Sequence, residues 1–362
     1  MSAKKYVMCI AAALLFFMAV NVVLWNFTVK NFFGLKDLNR MGYFDTNEAL
    51  TPNAEYSIIH DEMKDYINGS LRKSFDIITI GDSFTNGGGS VFYQDYLADK
   101  YGINSLNFSI KNHCMLDLYL LISSGLIDEI QPKAVILESV ERAVQGRLGG
   151  YEITPISADR EDIERALSHS KSISSKIFIP IMIKANTDFM QSLLYRINDP
   201  ERLSKEVYIA RLDRDLFTNP EHENTLLFYH EDLHYIDRPI NPEMVNANLN
   251  TAAELLRDKG IKLIFMPCVD KYDLYYPYII DKKGRPENNS FSEMRKISGK
   301  EYIFIDTKAI LREALSRGEK DIYWFGDTHW SWKGVELVCD ELVEYLRPFK
   351  QSTHYNLSGL PD

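Results

Sequence analysis

Short, unbroken apolar runs alternating with amphipathic stretches constrain this chain more than any other feature. Phe75–Ile80 ("FDIITI") is an apolar strand stopped by Gly81, followed by helical spacing over Phe92–Lys100. Ser105–Phe108 is a second strand, and Met115–Ile130 has helical spacing that ends before Gln131-Pro132. Ala134–Leu137 ("AVIL") is a third strand. Later, Met244–Lys259 forms a helix closed by Gly260, a left-handed stop. Lys262–Met266 ("KLIFM") and Tyr302–Ile305 ("YIFI") are two more strands, and a last helix runs over Lys333–Leu346. Continuous apolar strands alternating with helices require a parallel sheet covered on both faces, because neither face reads as polar. The fold class is therefore α/β, with any ligand crevice at the carboxyl ends of the strands. Between about 146 and 242 the alternation lapses into polar sequence with scattered helical pieces, which reads as an insertion in the α/β domain.

The N-terminus is of another kind. Tyr6–Phe27 is a run of 22 residues without a charge. As a helix it would rise ~33 Å, enough to cross a bilayer's hydrocarbon core. Trp25 lies near its end, where a membrane interface favours an amphipathic ring. No small-x-small cleavage site follows in "NVVLWNFTVKNFF", so an uncleaved anchor is expected over residues 6–27, after a cytoplasmic tip at 1–5. Lys4 and Lys5 are matched by Lys30, Lys36 and Arg40, so charge alone does not set the orientation. A linker over 28–72, an α/β domain over 73–350 and a tail over 351–362 complete the expected organisation. The net charge of −10, with no basic block, argues against a nucleic-acid partner. Four scattered cysteines make neither a disulfide framework nor a CxxC-type metal site.

Two stretches carry chemistry. Past the first strand stands Gly81-Asp82-Ser83-Phe84, then Thr85, Asn86 and Gly87–Gly89. A serine on such a turn presents its hydroxyl to the crevice, where backbone N–H groups can receive an oxyanion. Serine needs a base, and the base an orienting acid. "FGDTHWSWKG", after the last strand, offers Asp327 and His329. Each has a structural alternative: Ser83 and Asp327 as helix caps, His329 as a hydrogen-bonded core residue. Tyr323, Trp324, Trp330 and Trp332 crowd the base, as rings for a sugar face or as packing for the last helix.

"IGDSFTNG" and "GDTHW" resemble the first and last blocks of the SGNH (GDSL-type) hydrolases. The likeness is closer to the membrane-anchored, alginate O-acetyltransferase-like branch, with its Asp-x-His-Trp signature. "VILESVER" (Val135–Arg142) and "FMPCVDKYDLYY" (Phe265–Tyr276) also resemble that branch, so the likeness covers Phe75–Arg142 and Gly260–Leu346. It implies a three-layer α/β/α sandwich on the extracytoplasmic side of a cell membrane. It also implies a Ser83–His329–Asp327 triad acting on acetyl esters of an exported or surface polysaccharide, as transferase or esterase. No cofactor is implied; a multi-spanning membrane acyltransferase is the implied acyl donor for transfer. Trp330 is carried over as a residue supporting the site. The Asn of the usual Gly-x-Asn-Asp block is missing, replaced by Glu138-Ser139-Val140-Glu141-Arg142. The oxyanion or substrate contacts therefore fall to Ser83 N–H, with Asn86 and Arg142 as candidates; Glu138 and Arg142 at i,i+4 equally suit an ion pair. The missing Asn leaves open a non-catalytic glycan-binding or scaffold protein of an export complex. "HEDLH" (His230–His234) matches the zinc-hydrolase H-E-x-x-H pattern, which needs a continuous helix to present both histidines on one face. It lies in the insertion, after the strand-like "NTLLFY", and Pro239 cuts short a helix there.

Overall fold

The computed structural model describes residues 3–29, 36–44, 56–71, 74–110, 113–169 and 178–347. The expected tail, 351–362, lies wholly outside them, as does part of the linker.

Eight strands are present among these residues: β1 (Asp61–Glu62), β2 (Ile77–Ile80), β3 (Ser105–Asn107), β4 (Ala134–Val140), β5 (Val207–Arg211), β6 (Thr225–Tyr229), β7 (Lys262–Cys268) and β8 (Ile303–Phe304). Six form one all-parallel sheet in the order β1-β3-β2-β4-β7-β8. The chain runs from β2 to β3 on one side and returns to β4 on the other. The order therefore reverses at β2, and the crevice of such a sheet opens at its carboxyl end.

Alternation along each strand divides the core in two. Ile77, Ile136 and Ile264 face one layer, built with helices Tyr93–Tyr101, Thr307–Ser316 and Trp332–Leu346. Ile78, Val135, Leu137, Leu263 and Phe265 face the other, built with Cys114–Ser123, Leu126–Ile130 and Pro242–Arg257. Helices thus cover both faces, as the apolar strands require. The expected helix over Met115–Ile130 is broken in two, because Gly125 adopts φ +77° between the halves. Helix Pro242–Arg257 begins with proline at its first turn, where no N–H is needed, and Asn241 caps it through Met244 N–H.

The insertion is more ordered than its sequence suggests. β5 and β6 form an antiparallel hairpin whose Val207, Leu226, Leu227 and Phe228 join the first core layer. Helix Phe178–Asn198 lies against the N-terminal helix Ala3–Phe27, where Asn186 Nδ2 donates to Asn21 O (2.8 Å) and Oδ1 (3.0 Å). The N-terminal helix is long and apolar enough to cross a membrane and is otherwise largely exposed. All four cysteines are free thiols: Cys9 is exposed on that helix, and Cys114, Cys268 and Cys339 are buried.

Candidate active site

Ser83 stands three residues past β2, exposed between buried Asp82 and buried Phe84. The turn that lifts it is fixed from below. Asp82 N–H (2.8 Å) and Thr85 Oγ1 (2.9 Å) both donate to Glu138 Oε2, on the adjoining strand β4. Asp82 in turn accepts from Val140 N–H (2.9 Å) and from Arg147 (2.5 Å). Burial, then the neighbouring Asp82 charge, push Glu138 well above the ordinary carboxyl range. Burial also opposes ionisation of Asp82, but Arg147 and Val140 N–H hold it below its usual value. The two carboxyls are thus pushed apart, Asp82 toward its charged form and Glu138 toward its neutral one. Gly81 has to be glycine here: a Cβ would stand 2.2 Å from Glu138 Oε2.

The other half of the site is the excursion Trp324–His329 between two antiparallel contacts, Tyr323 with Trp330 and Ser331 N–H with Ile322 O. Ser331, and not Asp327, caps the last helix, accepting from Lys333 N–H. Asp327 is thereby free to turn toward the histidine. Its Oδ1 lies 2.6 Å from His329 Nδ1 and also accepts His329 N–H at 3.2 Å. On the far side of the ring, Nε2 lies 2.7 Å from Ser83 Oγ, across 246 residues of chain. Burial works against ionisation of Asp327, but hydrogen bonding and charge from His329, with contact from Asp37 and charge from Lys36, hold it below its ordinary value. An ionised acid on Nδ1 fixes the tautomer that leaves Nε2 able to take the serine proton.

The loop holding this pair is secured by groups the sequence did not single out. Lys271, 1% exposed, donates its ammonium to the carbonyls of Trp324 (2.7 Å), Phe325 (2.6 Å) and Asp327 (3.0 Å). Gly88 brings backbone against the imidazole, since a Cβ there would lie 2.2 Å from His329 Nε2. Phe84 packs against His329 and Trp330 at ring separations of 4.8 and 5.0 Å. Trp330, 2% exposed, thus lies behind Phe84 in the core, and Tyr323 and Trp324 are buried as well.

The two candidate oxyanion side chains are engaged elsewhere. Asn86 donates its amide to the carbonyls of Gly81 (3.2 Å) and Asp82 (2.8 Å), bracing the turn. Arg142 donates to Asp270 and, at 3.3 Å, to Asp232, within a buried acidic cluster. The i,i+4 ion pair with Glu138 does not form, because Glu138 is still in β4 and the helix starts at Glu141. Ser83 N–H has no acceptor among the described residues, the condition an oxyanion donor requires.

His230–Ile236 is a 3₁₀ helix, not the α-helix that an H-E-x-x-H zinc site uses. Its three residues to the turn bring Glu231 in with both histidines: donor atoms of His230, Glu231 and His234 lie within 4.8 Å of one another. Glu231 thus stands with the histidines as a prospective ligand atom and not apart from them as the separate base of a zinc hydrolase does. Donor atoms of Asp37, Asp327 and His329 are equally close, but they are occupied by hydrogen bonds to one another and to Thr328. Comparison with protein-family models, with curated proteins and with solved structures finds no match to this chain.

Proposed function

We propose that this chain is a serine acyl-transfer enzyme of the cell envelope, anchored by its N-terminal helix with the α/β domain on the extracytoplasmic side. The observation that carries the reading is the continuous relay Asp327 Oδ1–His329–Ser83 Oγ, with links of 2.6 and 2.7 Å, at the reversal point of a parallel sheet. Relays of this length match the hydrogen-bonded nucleophile, base and orienter of serine catalysis.

In the proposed reaction, Ser83 Oγ attacks the carbonyl carbon of an acetyl ester while His329 Nε2 takes its proton. Ser83 N–H receives the developing oxyanion. Collapse expels the donor's alcohol oxygen, which leaves with the proton from Nε2, and acetyl-Ser83 remains. A sugar hydroxyl then attacks the acyl carbon, giving its proton to Nε2, and Ser83 departs carrying that proton. Water in place of the sugar makes the same sequence an esterase. The substrate class, acetyl esters of an exported or surface polysaccharide, and a multi-spanning acyltransferase as donor rest on the resemblance of "IGDSFTNG" and "GDTHW" to the SGNH acetyltransferase-like branch.

The test uses the full chain in detergent with a chromogenic acetyl ester, with and without acetyl-free oligosaccharide. Mass spectrometry follows acetyl on Ser83, on sugar and in water. Acetyl-Ser83 that disappears on adding oligosaccharide, with acetylated sugar formed, supports transfer; release to water alone supports the esterase. A folded protein that turns over no ester, forms no acyl-enzyme and matches its Ser83→Ala variant would support a scaffold and sink the catalytic reading.

A further inference from the structure

We infer that Asp37, on the segment that follows the N-terminal helix, is a second acidic partner of His329, and that the site is complete only with this segment seated on the catalytic loop. The inference rests on the catalytic reading of Ser83, His329 and Asp327.

The segment Lys36–Phe44 lies along the catalytic loop as a strap. Leu38 N–H donates to Gly326 O at 2.9 Å, and the Leu38 side chain is fully buried. Lys36 Nζ donates to Gly89 O (2.7 Å) and sits 4.2 Å over the Trp324 ring, bridging the serine turn to the histidine loop. Tyr43 meets Phe325 edge-on at 5.7 Å, closing the far end. Between these fixed points Asp37 accepts from Thr328 N–H (2.9 Å) and from the Thr328 hydroxyl. Its Oδ2 then lies 3.6 Å from His329 Nδ1, on the side of the ring that Asp327 already occupies.

Thr328 donates to both Asp37 oxygens; an amide would accept from the N–H and donate to the hydroxyl instead, yet the chain places an acid beside an acid. Two carboxylates in contact repel when both are ionised; a proton on one relieves this at low pH, and once both are charged a neighbouring cation does. That cation arises when His329 takes the Ser83 proton. The arrangement therefore favours the transition state over the resting site, which is the condition for catalysis. The charged and titratable groups facing Asp37 are Asp327 and His329, with Lys36 next to it in sequence; Thr328 adds a neutral hydroxyl. Burial first, and then Asp327, lift the Asp37 carboxyl to about 6, against opposing contributions from His329 and Thr328. Asp37 thus gains its charge across the range in which envelope proteins operate.

Asp37 acts through His329 and is a positioning residue, so its test is a pH profile. Asp37→Asn in the full chain keeps an acceptor for Thr328 N–H, removes the charge and turns the other oxygen into a donor toward the Thr328 hydroxyl. First, a fluorophosphonate probe must label wild-type Ser83 and not Ser83→Ala; no labelling overturns the catalytic reading itself. With labelling established, wild-type kcat/KM is expected to rise through an extra step near pH 6. D37N should lack that step and run about tenfold slower at pH 8, a factor expected of one partly buried charge near the imidazolium. Identical profiles for wild type and D37N would overturn the inference and leave the triad standing. Should D37N not fold, Thr328→Ala serves: losing a hydrogen bond that favours ionised Asp37 should move the step above pH 6, and an unmoved step would overturn the inference.

Discussion

Gly88→Ala tests the site at its narrowest point. Gly88 N–H donates to Ser83 O at 2.6 Å, so its backbone cannot retreat without disturbing the serine turn. An added Cβ would lie 2.2 Å from His329 Nε2, 2.3 Å from Cδ2 and 2.7 Å from Cε1. Ordinary contact is about 3.5 Å, so ring and backbone must part by roughly 1 Å. Nε2 is the atom that now sits 2.7 Å from Ser83 Oγ; a shift of that size removes the hydrogen bond. Misplacement by about 1 Å costs on the order of a hundredfold in rate, or about 2.7 kcal/mol of barrier. The fold should lose less, about 1–3 kcal/mol for overpacking, because Gly88 does not sit at positive φ. Gly125→Ala is the matched control: its φ is +77° and a Cβ there meets nothing within 4 Å, so it should lower the melting temperature and leave kcat/KM unchanged. Ester turnover and fluorophosphonate labelling of purified variants are read beside thermal melts. A folded Gly88→Ala protein within threefold of wild-type kcat/KM would refute the proposed contact between this backbone and the base.

Lys271→Met should be the most damaging change outside the triad. It keeps the length of the side chain and removes the donor to three loop carbonyls, at a cost of about 3–5 kcal/mol for orphaned buried groups. Melts should fall steeply while helix content by circular dichroism persists below the transition; a melting temperature unchanged within 2 °C, a bound set by about 1 kcal/mol, would refute it. Asp37 also makes stability pH-dependent. A carboxyl raised from 3.8 to about 6 on folding favours the native state fully below about pH 4, and the contribution is lost as pH rises through 6. The difference in unfolding free energy between wild type and D37N should therefore fall from pH 4 to pH 7, by at most about 3 kcal/mol. A flat difference measured by urea denaturation would contradict that sign.

β2, β4 and β7 were legible because their apolar residues are buried on both faces; β4 and β7 simply extend three and two residues further than their apolar cores. β1 was not legible. Asp61 and Glu62 pair at the sheet's edge with Leu106 and Asn107 and carry no apolar signal. Ser83, Asp327 and His329 could be named because each lies at a strand end or loop with a recognisable neighbour pattern. Lys271 could not, since a lysine one turn past a strand reads as solvated until its three carbonyl partners are known. Nor could Asp37, whose partner Thr328 is 291 residues away. The Glu138–Arg142 ion pair fails for a local reason: i,i+4 spacing pairs residues only within one helix, and here it straddles a strand end.

These supports come from separate parts of the chain, which bears on where the site can work. The loop bearing Asp327 and His329 is gripped by Leu38 and Asp37 from the N-terminal side, by Lys271 beyond β7, and by the Gly88 backbone beyond β2. A loop carrying a buried acid and base cannot satisfy its own carbonyls by regular structure, so donors must be brought to it. One of those supports begins only ten residues after Phe27, the last residue of the apolar helix. Fully extended chain covers at most about 3.6 Å per residue, so Asp37 lies no farther than about 36 Å from the helix end. If that helix spans a bilayer, Ser83 is confined to a shallow layer above it. An acyl donor presented at the membrane would then meet the serine without free diffusion, whereas one released into bulk solvent would gain nothing from the anchor. Replacing the helix by a soluble tag, with Lys36–Phe44 retained, should accordingly leave turnover of a soluble chromogenic ester intact and abolish transfer from a membrane-held donor.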